Sequence, residues 1–443
     1  MSSKILPPNY RLLDFEKNIL FKYELIKKYD TILLILSFNN IESLKLILCE
    51  AEKYDLDIVV IDNCSNDGTI QWLIEDYKNK INLIFLEKNI GGAGGFAVGQ
   101  EYVLQKDYTY CIISEDAAIP STPNIFNEML INKKNNEIIQ TKYIGLPGQL
   151  FTLHFALYPT IIFKKAGVIN SKLFFRYDDY EYGLRLNKAA LENSINARTI
   201  DQYYSHPFLK KGYRIMPIYF SVRNGMLVFS SLGKMIQVFK LFLSNLFFSI
   251  TEAIKNFNFE LLKLLFRAFI DFLYFKESNN QEVLKKYIKS EISPNFQITY
   301  EKLTFEEFIN LYNSYKIKTH LLKNISPFDT MLRHNKNNRV AILGKFSSPS
   351  SIWSNIYKES IFIEEIDLTS KFVHFFKYEN NNLFYGRIII FFALLAFLFL
   401  SFLFIPLILV RSFYLFFFTN DFYNSSITNK LFNRPWDEDL HNN

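Results

Sequence analysis

Asp57-Ile58-Val59-Val60-Ile61-Asp62-Asn63-Cys64-Ser65-Asn66-Asp67-Gly68-Thr69 sets an unbroken apolar run directly against a polar turn. An apolar run of this length, without alternation, reads as a strand buried on both faces, and the turn closes it. Upstream, Thr31 to Leu36 (TILLIL) repeats the pattern, and a helix-like stretch from Ile41 to Tyr54 carries Leu44, Ile47 and Leu48 on one side. Downstream come a helix over Thr69 to Tyr77, a strand over Ile81 to Leu86, and a glycine-rich segment, Asn89 to Gly99, opening a further helix. A fourth strand, Tyr108 to Ile113 (YTYCII), ends at Ser114-Glu115-Asp116. Strands alternating with helices in this rhythm predict an α/β fold built on a mostly parallel sheet flanked by helices. Ligands of such sheets bind beyond the carboxyl ends of the strands, and the polar clusters fall at those ends.

Composition narrows the class. The 443 residues are 49% hydrophobic and 17% aromatic, with 46 Phe, too apolar for a disordered chain. The excess is concentrated between Met235 and Phe275 and between Leu383 and Phe418, which points to a membrane. A net charge of +6 suits an anionic lipid surface or a diphosphate, and no nucleic-acid signature accompanies it. The three cysteines, Cys49, Cys64 and Cys111, read as reduced thiols, which places the catalytic part on the cytoplasmic side of the cell membrane. The charged first thirty residues are not expected to form a signal peptide.

The expected domain order is a leader over 1–29, a catalytic domain over 30–230, and an amphipathic helical region over 231–277 on a membrane surface. A region of unassigned role (278–380), a membrane-inserted segment (381–420) and a polar tail (421–443) follow. In 231–277, Lys234, Lys240, Lys255, Lys263 and Arg267 stud the apolar pattern, so an ordinary helical subdomain remains the alternative. Ile388 to Val410 is uncharged over about 23 residues, enough to cross a bilayer core of roughly 30 Å. Pro406 leaves open a re-entrant hairpin in place of a single span.

Four clusters carry candidate chemistry. Asp62-Asn63, with Asp67-Gly68-Thr69, offers a carboxylate and an amide to a ribose and a base edge; alone it is most often only a polar βα turn. Gly91-Gly92-Ala93-Gly94-Gly95 could leave backbone N–H groups open to a diphosphate at a helix start, or could be a flexible turn. Glu115-Asp116 puts adjacent carboxylates at a strand end, where a hard divalent ion shared with ligand phosphates would compensate them; a solvated loop is the alternative. Asp178-Asp179-Tyr180-Glu181 offers a general base at a helix start, where acids are favoured. His206 lies about 27 residues on, and Arg223, in Tyr219 to Gly225, could meet a phosphate.

The order of these clusters resembles the family 2 glycosyltransferases of the GT-A fold, in particular the bacterial galactofuranosyltransferase and rhamnosyltransferase branch. The resemblance runs over Thr31 to Phe229 and rests on Leu36-Ser37-Phe38-Asn39, on Val60-Ile61-Asp62-Asn63-Cys64-Ser65-Asn66-Asp67-Gly68-Thr69, on Asn89 to Phe96, on Asp178 to Arg185 and on Arg223-Asn224. It implies Asp179 as catalytic base and Asp116 and His206 as ligands of Mn²⁺ or Mg²⁺. Ser37, Asn39, Asp62, Asn63, Asn89, Gly91, Gly92, Gly94, Gly95, Glu115, Asp178, Glu181 and Arg223 would bind the nucleotide sugar. The family's metal motif is Asp-x-Asp, whereas Ser114 and Glu115 precede Asp116 here. The N-terminal β domain of the galactofuran polymerases has no room in about thirty residues, which favours addition of one or a few sugars. The implied activity is an inverting transfer, preferably of galactofuranose from UDP-galactofuranose, with dTDP-rhamnose as the second donor. The acceptor would be a lipid-linked oligosaccharide or polysaccharide. A non-catalytic membrane scaffold on a degenerate transferase fold is the reading from another class.

Overall fold

The computed structural model describes residues 10–120, 122, 124–131, 133, 137–143, 154–205, 213–214, 216–256, 259–275, 278–287, 291–292, 297–304, 307, 340–343, 359–367, 372–379 and 383–418. They form two compact units. The first takes the described residues within 1–143, 149–211 and 277–282; the second takes those within 212–276 and 283–443.

The first unit is built on the runs read from the sequence. After β1 (Ile19–Tyr23) come β2 (Thr31–Ser37), α1 (Ile41–Ala51), β3 (Asp57–Asp62), α2 (Thr69–Tyr77), β4 (Asn82–Leu86), α3 (Gly91–Gln105) and β5 (Tyr110–Glu115). Strands β4, β3, β2 and β5 lie side by side in parallel. Every residue of β2, β3 and β4 is buried, as their unbroken Val, Ile and Leu content requires of strands covered on both faces.

The flanks are mixed. The chain continues through β6 (Ile119–Pro120), α4 (Ile125–Ile131), β7 (Glu137–Tyr143), β8 (Ala156–Pro159), α5 (Ile161–Ala166), α6 (Asp178–Glu192) and β9 (Asn196–Ser205). Among the described residues the sheet has nine strands in the order β1-β4-β3-β2-β5-β8-β7-β9-β6. The β5–β8, β7–β8 and β6–β9 pairs are antiparallel, and β7–β9 is parallel. Parallel pairing thus holds for the centre, where the polar loops gather.

The segment expected to be a leader is part of this unit. β1 pairs antiparallel with β4 as an edge strand. Arg11 grips Glu101 of α3 through both carboxylate oxygens, at 2.8 and 2.6 Å, and the Leu12 N–H donates to the same carboxylate at 2.7 Å. As an edge strand, β1 leaves Leu20, Phe21 and Lys22 exposed, so it lacks the unbroken apolar run of a strand covered on both faces.

α3 lies unusually close to the sheet. A Cβ at Gly95 would stand 2.2 Å from Leu36 Cδ1, and one at Gly99 would stand 2.3 Å from Leu34 Cδ1. The small residues are therefore a packing stripe that lets a helix backbone approach β2.

In the second unit, β10 (Tyr213–Arg214) leads into α7 (Met216–Ser231), α8 (Met235–Asn256) and α9 (Glu260–Leu273). α7, which carries Arg223, was expected inside the 30–230 domain; it packs instead on α8 and α9. α10 (Ser278–Tyr287), whose residues up to Glu282 belong to the first unit, and β11 (Glu291–Ile292) follow, the latter paired with β10. Residues 278–380 also hold β12 (Gln297–Thr304), β13 (Val340–Leu343), β14 (Glu359–Asp367) and β15 (Phe372–Glu379), a sheet of order β12-β15-β14-β13.

α11 (Leu383–Phe418) is one helix of 36 residues, about 54 Å long at 1.5 Å per residue. It runs unbroken through Pro406, so the hairpin bent at that residue is not formed. Phe391–Phe416 has a mean hydropathy of 2.9 and is 17% buried, long and apolar enough to cross a membrane. Phe404 of α11 packs on Phe242 of α8 and Phe269 of α9, with ring centroids 5.2 and 4.7 Å apart.

Gly91 supplies a test of this packing. Its φ is +79°, and a Cβ there would meet the Phe174 carbonyl oxygen at 2.2 Å, whereas Gly92 faces open space. Gly91→Ala is expected to lower stability by about 1–3 kcal/mol in chemical denaturation, and Gly92→Ala by less than about 0.5 kcal/mol.

Candidate functional site at the carboxyl ends of the central strands

β2, β3 and β5 end together, and their last residues are tied to one another. Asp116, just past β5, accepts the Ser37 hydroxyl at 2.9 Å and the Phe38 N–H at 2.6 Å, both on Oδ2. The Asn40 side chain donates to its backbone carbonyl at 3.0 Å. Ser37 and Asp116 are buried, and burial pushes the Asp116 carboxyl up to about 8.

Asp62 closes β3. It is fully buried; Oδ1 accepts the Ser65 N–H at 2.9 Å, while Oδ2 has no hydrogen-bond partner among the described residues. Burial raises this carboxyl too. Asn39 braces the same loop: its N–H donates to Ser65 Oγ at 3.0 Å, and its Oδ1 accepts the Asn66 N–H at 2.7 Å. Asp67, in the turn, accepts the Thr69 N–H and hydroxyl at 3.1 and 2.6 Å and so caps the start of α2.

The glycine-rich turn docks onto this loop. Asn63 donates to the Gly91 carbonyl at 3.1 Å and to Asn89 Oδ1 at 3.3 Å, and it accepts the Ile90 N–H at 2.9 Å. Two N–H groups expected to stay open for a diphosphate are occupied. That of Gly91 donates to Asn89 Oδ1 at 2.8 Å, and that of Ala93 donates to the Phe174 carbonyl at 3.1 Å. Gly94 and Gly95 abut Ile90 and Leu36, so of the four named glycines only Gly92 has open space beside it. Gln281 donates to the Asn89 carbonyl at 2.5 Å, adding a residue from the 278–380 region that received no role from sequence.

Phe174 links this turn to the acidic helix. The chain enters α6 through Phe174, Arg176 and Tyr177, all at positive φ between 60° and 67°. Non-glycine residues there cost of order 1–3 kcal/mol each and persist only where surroundings enforce them. Asn39, Cys64 and Phe155 are also at positive φ, so six of the nine such non-glycine residues among those described border this site.

Asp178 and Asp179 begin α6, and Asp179 is exposed. Burial and the adjacent Asp179 charge push the Asp178 carboxyl up. Glu181 points the other way. It is fully buried and grips Arg185 through both oxygens at 2.7 and 2.8 Å, while Arg185 also donates to the carbonyls of Ala166 and Val168. Its expected sugar contact is therefore corrected to a structural one, because a buried carboxylate held by a buried guanidinium has no face left for a ligand.

His154 joins the two acidic groups and was missed in the sequence. Its Nδ1 stands 3.7 Å from Glu115 Oε1, its ring is 5.7 Å from that of Tyr204, and the Asp179 charge opposes the burial that pushes its imidazole down. It follows a stretch without a readable pattern and lies beside the short strand β8, so no local signal marked it. His206, the expected metal ligand, lies outside the described residues. Arg223 sits on α7 in the second unit, buried, with its guanidinium over the rings of Tyr219, Phe220 and Phe275 and its Nε donating to Asn224 at 2.8 Å. Its Nη1 also donates to the Tyr219 hydroxyl at 3.3 Å.

No family model matches the chain. An uncharacterized protein of Methanocaldococcus jannaschii is 26% identical over 204 residues, covering 43% of this chain and 87% of that protein. Among solved structures, a putative nucleotide-diphospho-sugar transferase from Desulfovibrio desulfuricans aligns with a TM-score of 0.29 at 4% identity, covering 40% of this chain and 82% of that one. A putative glucose-1-phosphate thymidylyltransferase from Bacillus anthracis aligns with a TM-score of 0.27 at 10% identity, over 39% and 88% of the two chains.

Two outcomes follow from the geometry. Glu181→Ala should cost about 3–5 kcal/mol of stability, since it strands Arg185; Asp179→Asn, exposed at the helix start, should change unfolding by less than about 0.5 kcal/mol. For Asp116, a folded pKa above the ordinary value means that the native state holds the proton more tightly, so stability falls as pH rises from about 4 to 8. In metal-free protein, Asp116→Asn should raise stability at pH 8 by at least about 1 kcal/mol relative to pH 5, one pKa unit being worth about 1.4 kcal/mol. Denaturant titrations at the two pH values measure it.

Proposed function

We propose that this chain is a membrane-attached glycosyltransferase of the GT-A type, transferring a sugar from a nucleotide-sugar donor to a lipid-linked glycan. The observation that carries the reading is the link from Asp62-Asn63 through Gly91 and Ala93 to Phe174, four residues before Asp178, together with the approach of His154, in the field of the Asp179 charge, to Glu115 beside Asp116. These links run between acids from three distant segments, Asp62 and Asp116 buried at a cost, and β3 and β5 end beside them, at the edge where α/β sheets bind ligands.

In this reading the nucleotide lies over Asp62, whose buried Oδ2 is suited to accept a hydrogen bond from a base or ribose. Asp179 takes the proton of the acceptor hydroxyl as that oxygen bonds to the anomeric carbon. The bond from that carbon to the diphosphate breaks on the opposite face, so the configuration inverts. UDP-galactofuranose is the preferred donor and dTDP-rhamnose the second.

Mn²⁺ or Mg²⁺ is part of the proposal. Among the described residues no group of three or more His, Cys, Asp or Glu side chains is placed to hold a metal ion. A dedicated cage is thus not formed by these residues, but Mg²⁺ carried on a diphosphate needs only one or two carboxylates. Asp116 fits that need, because a cation would offset the burial of its charge; when bound, the ion would neutralise the leaving diphosphate.

The test is a panel of nucleotide sugars scored by thermal shift with and without Mn²⁺, followed by transfer assays. One donor should stabilise the protein by about 2.7 kcal/mol at a hundredfold excess over its Kd. Asp179→Asn should retain that stabilisation while turnover drops by about 10²–10⁴-fold. No donor stabilisation and no transfer would favour the scaffold; full turnover by the variant would remove Asp179 as base.

A further inference from the structure

One peptide group in the glycine-rich turn is held at both ends. The N–H of Ile90 donates to Asn63 Oδ1 at 2.9 Å, and the carbonyl of Asn89 accepts the Gln281 side-chain amide at 2.5 Å. Both groups belong to the peptide bond between residues 89 and 90, which is planar, so the two side chains together fix the direction in which that plane faces. Its neighbours are tied as well. Asn89 Oδ1 accepts the Gly91 N–H at 2.8 Å and Asn63 Nδ2 at 3.3 Å, and the Gly91 carbonyl accepts Asn63 Nδ2 at 3.1 Å.

The two holds differ in origin. Asn63 directly follows Asp62 at the end of β3, and its side-chain amide is occupied by the turn. Gln281 lies 192 residues from Asn89, in the first turn of α10 and outside the segment Thr31 to Phe229 that carries the family resemblance. Asn280, Val283 and Leu284 of the same helix are buried, which fixes the rotation of α10 and so the direction in which Gln281 is presented. Removing the Gln281 amide leaves the N–H end of the plane fixed and releases the carbonyl end.

We propose that Gln281 is a positioning residue for nucleotide-sugar binding, acting through the 89–90 peptide plane to keep the glycine-rich turn, with Asn63 and Asp62 behind it, in the arrangement that receives the nucleotide. With the carbonyl end released, the plane pivots about its bond to Asn63 and the turn samples other geometries. Only the fraction of molecules with the turn in place then binds, and the apparent affinity falls by that fraction. The identity of the ligand rests on the transferase reading; the hold on the turn does not.

Full-length protein is compared with Gln281→Ala, Gln281→Lys and Lys285→Ala, Lys285 being exposed on the same helix. Hydrogen exchange of the ligand-free proteins is read by mass spectrometry over a peptide spanning residues 86–96. UDP-galactofuranose and dTDP-rhamnose, each with Mn²⁺, are then titrated by calorimetry. Gln281→Ala should speed exchange in that peptide and raise the donor Kd, each by about three- to tenfold, the usual worth of one hydrogen bond, while the number of sites per chain is unchanged. Gln281→Lys, which keeps an N–H donor at comparable reach, should restore most of both, and Lys285→Ala should change neither. A fall in the number of sites at constant Kd marks a general loss of folded protein and would overturn the proposal. Unaltered exchange over 86–96 in Gln281→Ala, or an unaltered Kd, would do the same. If the unmodified protein binds neither donor, the transferase reading fails for both and takes this proposal with it; that result precedes any variant and is thus distinct from a failure of Gln281 alone.

Discussion

The Asp116 carboxylate, held by the Ser37 hydroxyl and the Phe38 amide, ties the end of β5 to the end of β2. Everything at the site is arranged around that junction. Asn40 clamps the backbone behind it, Asn39 links the next loop, and Asn63 carries the connection on to the start of α3. The arrangement is expensive: Asp62, Asp116 and Asp178 are each pushed toward the protonated form by burial. Buried acids held toward their protonated form cluster at functional sites, which makes these three candidates for contact with a ligand. The left-handed residues bordering the same loops point the same way, since strain of that kind is tolerated where a geometry must be kept.

Burial and partnering divide the acidic residues of α6 into two jobs. Glu181 and Arg185 lock the helix onto the carbonyls of Ala166 and Val168 and so fix its rotation. Asp179, two residues earlier in the chain, is thereby turned to the opposite side, while Asp178, three residues earlier, shares the side of Glu181 and is partly covered. A run of carboxylates in a sequence does not distinguish these roles, because the difference lies in which side of the helix the core occupies.

The centre of the sheet was legible because strands covered on both faces show unbroken apolar runs, as in β2, β3 and β4. The flanks were not. β6 and β8 are two and four residues long, and β1 leaves its middle exposed, so none carries a period long enough to read. The glycine stripe was found but not its packing role: the sequence shows small residues, while only the approach of Leu34 and Leu36 shows what they make room for. His154 is the clearest loss. A single imidazole acquires meaning from Glu115 and Asp179, and sequence distance hides both.

The return of Gln281 to the Asn89 carbonyl makes the sheet-bearing unit discontinuous along the chain. Helices α7, α8 and α9 are translated between its main body and its last contributing residues. A nascent chain therefore delivers these three helices before the glycine turn receives its final clamp. Synthesis order alone makes completion of the glycine turn a late event, after α9 has been translated and before the apolar α11.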